Sequence, residues 1–540
     1  MGKNVWWNNT TIYQVYPRSY FDTTGNGIGD LAGIVSKLDY IKDVGFETIW
    51  FSPFFNSPQA DFGYDVSDYY QAAPEYGSQE DIFELIGEIH KRDMKVVFDL
   101  VLNHTSDQHS WFLESRESLN NPKRNWYIWR DGKGKKPPNN WKALPGGSGW
   151  HYDETTDQWY YASFLPFQPD LNFRNPEVKR AMLDMVAFWL DQGVDGFRLD
   201  IFHSIFKDKD FRDNPFSKHF VPYHDKAGFF QEYKYTVNQP ETLEFAKDVR
   251  KLIASYQPER FLLGEIFADD AVKRGYLGKN QDGLNLVFSW DLPDDRVTAS
   301  DLRKVVEKYE KEYPDPYLPV YVLGNHDRKR VLSRTGGNIN LAKLLAVLIF
   351  TARGIPVTYY GEEIGMLEGD LPIKTCLDPV GQRYKKVPSI LLDLLNIYVN
   401  RDGCRTPMQW ETGENAGFST TEGDLWLPLS SNHHKNNVEE QGNRSDSILN
   451  LYKELLRLRN TTPALIKGNM KLLDSPAGVL AFDREFSNEK IGVFMNFSSR
   501  AKSIKLDRPL DKILYSYSRG ENKPGWIDLL PFGTAIIRYT

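Results

Sequence analysis

Short apolar runs alternate with longer amphipathic stretches along most of this chain. TIYQVY (11–16) leads into a stretch where Leu31, Ile34, Leu38 and Ile41 recur at helical spacing, and then into ETIWF (47–51). Apolar residues three and four apart form one stripe of a helix. Short runs rich in β-branched and aromatic residues suit strands buried on both faces. The alternation continues through SQEDIFELIGEIHKRD, KVVFDLV, EVKRAMLDMVAFWLDQG, VDGFRLD, ETLEFAKDVRKLIASY and RFLLGE. It runs on through LNLVF, SDLRKVVEKYEKEY, PVYVLG, NLAKLLAVLIFTARG and PVTYYG. Eight strand-like runs separated by helices predict an α/β fold, a closed (β/α)8 TIM barrel. An open doubly wound sheet uses the same units, but it explains neither the count of eight nor the polar motifs that end several runs.

The pattern breaks twice. Residues 105–172 are rich in Trp, Gly, Pro and Asn and lack helical periodicity, which marks a subdomain inserted after strand three. Residues 365–440 form a second long connection, after strand eight. From about residue 467 the pattern changes to short strands with turn residues: MKLLD, VLAFDRE, KIGVFMNFS, KSIKL, KILYSYS and TAIIRYT. The expected organisation is a barrel over 1–104 and 173–466, an inserted subdomain over 105–172, and a small all-β C-terminal domain over 467–540.

Composition narrows the partners. The net charge of −7 comes from interspersed acids and bases with no basic stripe, which argues against nucleic acid. No apolar signal region opens the chain. The most apolar run, LLAVLIFTARGIPVTYY, is broken by Arg353, Gly354 and Pro356, so no membrane span is expected. Two cysteines, Cys376 and Cys404, make no disulfide framework and fit a reducing compartment, so the expected location is cytoplasmic.

Barrel enzymes gather their chemistry at the C-terminal ends of the strands. Here those ends carry Asp99, Asn103 and His104 after strand three, Arg198 and Asp200 on strand four, Glu265 on strand five, and His326 and Asp327 after strand seven. A lone strand-end Asp is commonly a helix cap or a loop ion pair. Four strand ends that aim carboxylates, His and Arg at one mouth suit cleavage of a sugar acetal, where one carboxylate attacks and another donates a proton.

DLVLNH, GFRLDIFH, GEIF and GNHD, in this order on these strands, resemble the sequence regions of glycoside hydrolase family 13, the α-amylase family. QPDLNFRNPEV and GIPVTYYGEEIGM resemble two more. NRDGCRTPMQW and NAGFST are similar to the α-glucosidase and oligo-1,6-glucosidase branch. The resemblance spans essentially the whole chain and implies a retaining, exo-acting α-glucosidase acting on a small α-glucoside or oligosaccharide, with 105–172 as an inserted B domain and 467–540 as a β-sandwich C domain. It implies Asp200 as nucleophile, Glu265 as acid/base and Asp327 as the third carboxylate. Arg198, two residues before Asp200 on the same strand, would keep it ionised. The apolar flanks of Glu265 would help it hold its proton. The resemblance also places Asp61, Tyr64, His104, Gln168, His326 and Arg401 around a terminal glucose. Arg401 beside Asp61 would form a charged wall, and Phe164 would be a further sugar contact. Asp99 would support Arg198.

The loop DTTGNGIGD resembles the branch's calcium loop, with Thr24 and Asn26 as departures. Asp22, Thr24, Asn26, Ile28 and Asp30 are the implied ligands of a structural calcium; a capped, Gly-rich turn is the other reading. Ile201, next to Asp200, matches neither the Val that resembles α-1,6 enzymes nor the Ala or Thr that resembles α-1,4 enzymes. Two alternatives stand beside the hydrolase. One is a sucrose isomerase or transglucosylase that shares all three carboxylates. The other is a non-catalytic amylase-like binding module, against which the three acids argue.

Overall fold

The computed structural model describes residues 5–221, 226–293, 297–394, 397–521 and 523–540. Eight parallel strands close into a barrel: β1 Ile12–Val15, β2 Thr48–Phe51, β3 Lys95–Leu100, β4 Gly196–Leu199, β5 Phe261–Gly264, β6 Leu286–Ser289, β7 Val320–Val322 and β8 Ile355–Tyr359. Each run picked out in the sequence is one barrel strand. Each strand pairs with its sequence neighbours, and β8 returns to β1 with Val357 opposite Ile12.

Because side chains alternate across a strand, every second residue points into the barrel. Low in the barrel these residues are apolar: Ile12, Trp50, Val97, Leu263, Phe288 and Val322 belong to one buried cluster. One or two pleats higher they turn polar: Gln14, Ser52, Asp99, Arg198 and Glu265. The same alternation that packs the barrel's floor therefore delivers its chemistry to the C-terminal mouth. Gly196 is required in the floor, since a Cβ there would meet the Phe261 ring at 2.4 Å.

The insertion holds a helix, Ser110–Glu117, and a three-stranded sheet of Trp129–Arg130, Gln158–Tyr161 and Trp150–Asp153. That helix escaped the periodicity reading because it buries only Phe112 and Ser115. The C-terminal strands Asn469–Leu472, Val479–Phe486, Glu489–Asn496, Lys502–Lys505, Leu510–Arg519 and Trp526–Tyr539 all hydrogen-bond in one antiparallel sheet. Leu480, Phe482 and Val493 on one face join the core around the barrel helices, while Val479, Ala481 and Phe494 on the other face build a separate core. Among the described residues, no helix is long and apolar enough to cross a membrane.

Candidate active site

One buried guanidinium organises the mouth. Arg198 Nη1 donates to Asp99 Oδ1 at 2.8 Å and to Asp200 Oδ1 at 2.7 Å, and Nη2 lies 2.7 Å from Glu265 Oε2. Asp99, also reached by Trp50 Nε1 and the Tyr64 hydroxyl, supports Arg198 from below. The charge expected to serve Asp200 alone is thus divided among three carboxylates. Burial pushes Asp200 upward more strongly than Arg198 pulls it down. Glu265 is raised by burial first and also by the charge on Asp327, against the pull of Arg198. Asp99 is pushed to about 6 by burial.

Ile201 has φ of +29°, an uncommon conformation for a β-branched residue, and its N–H donates to Glu265 Oε2 at 3.2 Å. The backbone strain beside Asp200 thus accompanies a second donor on Glu265.

Asp327 sits at the rim with 32% of its side chain exposed. Its Oδ1 accepts from Arg401 Nη1 and Arg405 Nη2, both at 3.0 Å, and its Oδ2 lies 3.0 Å from His326 Nε2. The Gln14 amide nitrogen lies 2.8 Å from His326 Nδ1, so Nδ1 accepts and Nε2 carries the proton. Burial lowers His326 to about 4, which leaves it a neutral donor at pH 7. Burial works to raise Asp327, but the His326 N–H and the two guanidiniums outweigh it and hold this carboxyl well below the usual range. The Tyr64 ring stacks on His326 at 5.3 Å and 13°. The stack continues through Tyr16 to Trp426.

The other sequence-predicted residues converge on the same place. Arg401 Nη2 donates to Asp61 Oδ1 at 2.9 Å, and Gln168 Nε2 donates to Asp61 Oδ2 at 3.1 Å. The turn that presents Asp61 and Tyr64 has Phe62 and Gly63 at positive φ. A Cβ on Gly63 would meet the Pro53 carbonyl oxygen at 2.6 Å. His104 is buried with Nδ1 facing Asn103 Nδ2 and Nε2 facing the Tyr64 carbonyl. Phe164 is half-buried.

Several residues escaped the sequence reading. Gln14, Arg405 and Trp426 belong to the network just described; Gln14 lies in the run TIYQVY and Arg405 in NRDGCRTPMQW, but neither motif singled them out, and Trp426 lies in no periodic run. Lys207 is buried between domains: its Nζ donates to Asn103 Oδ1 at 2.7 Å and forms an ion pair with buried Asp170 of the insertion. A lysine directly after the apolar pair Ile205 and Phe206 was the available signal. Beyond Glu265, Phe267 stacks on Trp290 at 6.1 Å and 10°, and the Arg328 guanidinium lies 5.6 Å from the Trp290 ring centre. Both cysteines are free and buried.

The 22–30 loop turns its oxygens on itself. Asp22 accepts from the backbone N–H groups of Thr24, Gly25 and Gly27 and from the Ser419 hydroxyl. Asn26 Oδ1 accepts from Ile28 N–H. Asp30 accepts from Thr23 and caps the helix Leu31–Ser36 through Gly33 N–H. Among the described residues, no group of three or more His, Cys, Asp or Glu side chains comes together to hold a metal ion. These hydrogen bonds hold the loop closed with its own donors, the capped Gly-rich turn of the second reading.

Comparison with known proteins gives a consistent picture. The family model for the α-amylase catalytic domain matches residues 14–468. A probable α-glucosidase of Rhizobium meliloti (strain 1021) is 38% identical, with 93% of this chain and 91% of that protein covered. An oligo-1,6-glucosidase of Parageobacillus thermoglucosidasius is 37% identical, with 95% and 93% covered. Among solved structures, an isomaltulose synthase of Erwinia rhapontici NX5 in complex with sucrose superposes with a TM-score of 0.90 at 33% identity, with all of both chains covered.

Proposed function

The chain belongs to the α-amylase family of glycoside hydrolases, and from that premise we propose that it is a retaining, exo-acting α-glucosidase that releases terminal α-linked glucose from short oligosaccharides. The observation that carries this reading is the single guanidinium shared by Asp200 and Glu265. It holds the two carboxylates as neighbours, which suits the separation of about 5–5.5 Å used in double displacement rather than the wider gap of inversion. Asp200 attacks the anomeric carbon as the glycosidic C–O bond breaks, and Glu265 passes its proton to the departing oxygen. Glu265, now ionised, then takes a proton from the water that cleaves the glucosyl ester and releases Asp200. Asp327, kept ionised by two guanidiniums, accepts hydrogen bonds from the sugar hydroxyls. Arg401 and Asp61 close the site beyond the glucose.

As the group that protonates the departing oxygen, Glu265 must enter the reaction carrying a proton. Glu265→Gln removes that proton donor. Maltose cleavage is therefore expected to fall far more than that of a nitrophenyl α-glucoside, whose leaving group needs little protonation. Equal losses on both substrates rule out the assignment. A second reading, sucrose isomerisation or glucosyl transfer, is favoured by the isomaltulose synthase likeness. It shares every step up to the glucosyl-enzyme and differs in what intercepts it. The test is a panel of maltose, isomaltose, kojibiose, nigerose, trehalose and sucrose with product identification. The hydrolase reading expects free glucose from terminal α-glucosides. Abundant isomaltulose or trehalulose with little free glucose from sucrose overturns it.

A further inference from the structure

Arg401 is the wall of the proposed glucose site, and its contacts with Asp327 and Asp61 are not all that holds it. Its side-on edge is clamped by Asp378, a fully buried residue in the long connection after β8. Asp378 Oδ2 accepts from Arg401 Nε at 3.0 Å and from its backbone N–H at 2.8 Å, and Oδ1 accepts from Nη2 at 2.7 Å. This leaves the other edge of the guanidinium to face Asp327 and Asp61. Asp402 in turn fixes Asp378, accepting from the backbone N–H groups of Leu377 and Asp378. The helix Pro379–Tyr384 then carries the segment to the inserted domain, where the Tyr384 hydroxyl donates to the Pro145 carbonyl at 2.9 Å and Arg383 donates to the Gly146 carbonyl.

We propose that Asp378 is a specificity-determining positioning residue: it orients Arg401 so that the site ends after one glucose, which makes chain-end selectivity a property of this strap rather than of the barrel. The inference rests on the exo-acting reading above. An arginine has five donors in a rigid fork, and a carboxylate accepting side-on removes its freedom to rotate. Without Asp378 the guanidinium keeps its attraction to Asp61 and Asp327 but loses the contact that fixes its plane.

The test compares wild type, Asp378→Asn, Asp378→Ala and Arg401→Ala on two substrates. One is a nitrophenyl α-glucoside; the other is a nitrophenyl maltooligosaccharide blocked at its non-reducing end. Asp378→Ala is expected to raise KM for the glucoside about tenfold, the scale of a misplaced substrate contact, and by more than kcat falls. It should also admit internal cleavage of the blocked chain. Asp378→Asn, which retains one carbonyl acceptor, should shift in the same direction by less. Adding Asp378→Ala to Arg401→Ala should change KM no further, because Asp378 acts only through Arg401. A well-folded Asp378→Asn with wild-type KM and full exclusion of the blocked chain overturns the proposal, as does an additive double variant. If Asp378→Ala does not fold, the Asp378→Asn result decides. Wild-type cleavage of the blocked chain would instead overturn the exo reading, while the Arg401 coupling would still test Asp378.

Discussion

Asp200→Asn will eliminate turnover of every α-glucoside, with a fall in kcat on the order of 10⁴-fold or more, because no covalent intermediate can form. The fold should survive the change. Arg198 keeps Asp99 and Glu265 as partners, and one buried negative charge among three disappears. Two measurements check this together. Stopped assays give the activity, and mass spectrometry after treatment with a slow fluoroglucoside gives the adduct. Wild type should carry a glucosyl adduct on the peptide containing Asp200, and Asp200→Asn should carry none at equal secondary structure. Near-normal activity in Asp200→Asn, or an adduct elsewhere, ends the nucleophile assignment. The outcome also bears on how Arg198 works. Burial raises both Asp200 and Glu265, and one guanidinium faces both. Losing Asp200 therefore leaves Glu265 a larger share of Arg198, which should favour its ionised form.

The parts of the molecule legible in the sequence are those where one period is obeyed. Barrel strands buried on both faces read as continuous apolar runs, so all eight were visible. The inward positions of Asp99, Arg198, Asp200 and Glu265 followed from alternation along the same runs. What alternation cannot show is contact across hundreds of residues. Gln14 reaches His326 from the first strand, 312 positions away. Trp426 joins the stack over His326 from a connection with no periodicity at all. The connection after β8 looked like an irregular interruption. Its order comes from buried ion pairs such as that of Asp378 with Arg401, and ion pairs leave no periodic trace. The 22–30 loop shows the converse. Its acids and glycines have the composition of a cation loop, yet backbone N–H groups claim the same oxygens, and composition alone does not distinguish the two arrangements.

The largest expected loss of stability comes from a residue outside the reaction. Lys207→Met should destabilise the protein by about 3–5 kcal/mol, because it leaves Asp170 buried without its cation. Asp170 is fully buried; it accepts from the Ser163 N–H and hydroxyl and from Asn103 Nδ2, but Lys207 carries the balancing charge. Burial lowers Lys207, with Asp170 opposing, so the ammonium depends on its partner as well. Removing both charges should behave differently. In Lys207→Met/Asp170→Leu the desolvation costs of the two ions vanish together, and much of the lost stability should return. Urea and thermal unfolding of the two single variants and the double variant measure this coupling. A Lys207→Met variant as stable as wild type would show that the pair contributes nothing. A double variant no better than the singles would show that the geometry of Asn103 and Ser163, rather than the charge, joins the inserted domain to the strand ends. The position of the pair gives the result a functional reading. Asn103 follows β3, Asp170 closes the insertion and Lys207 follows Asp200 by seven residues. Loosening them should let the wall carrying Gln168 move against the carboxylates, so that KM rises in Lys207→Met even where the protein remains folded.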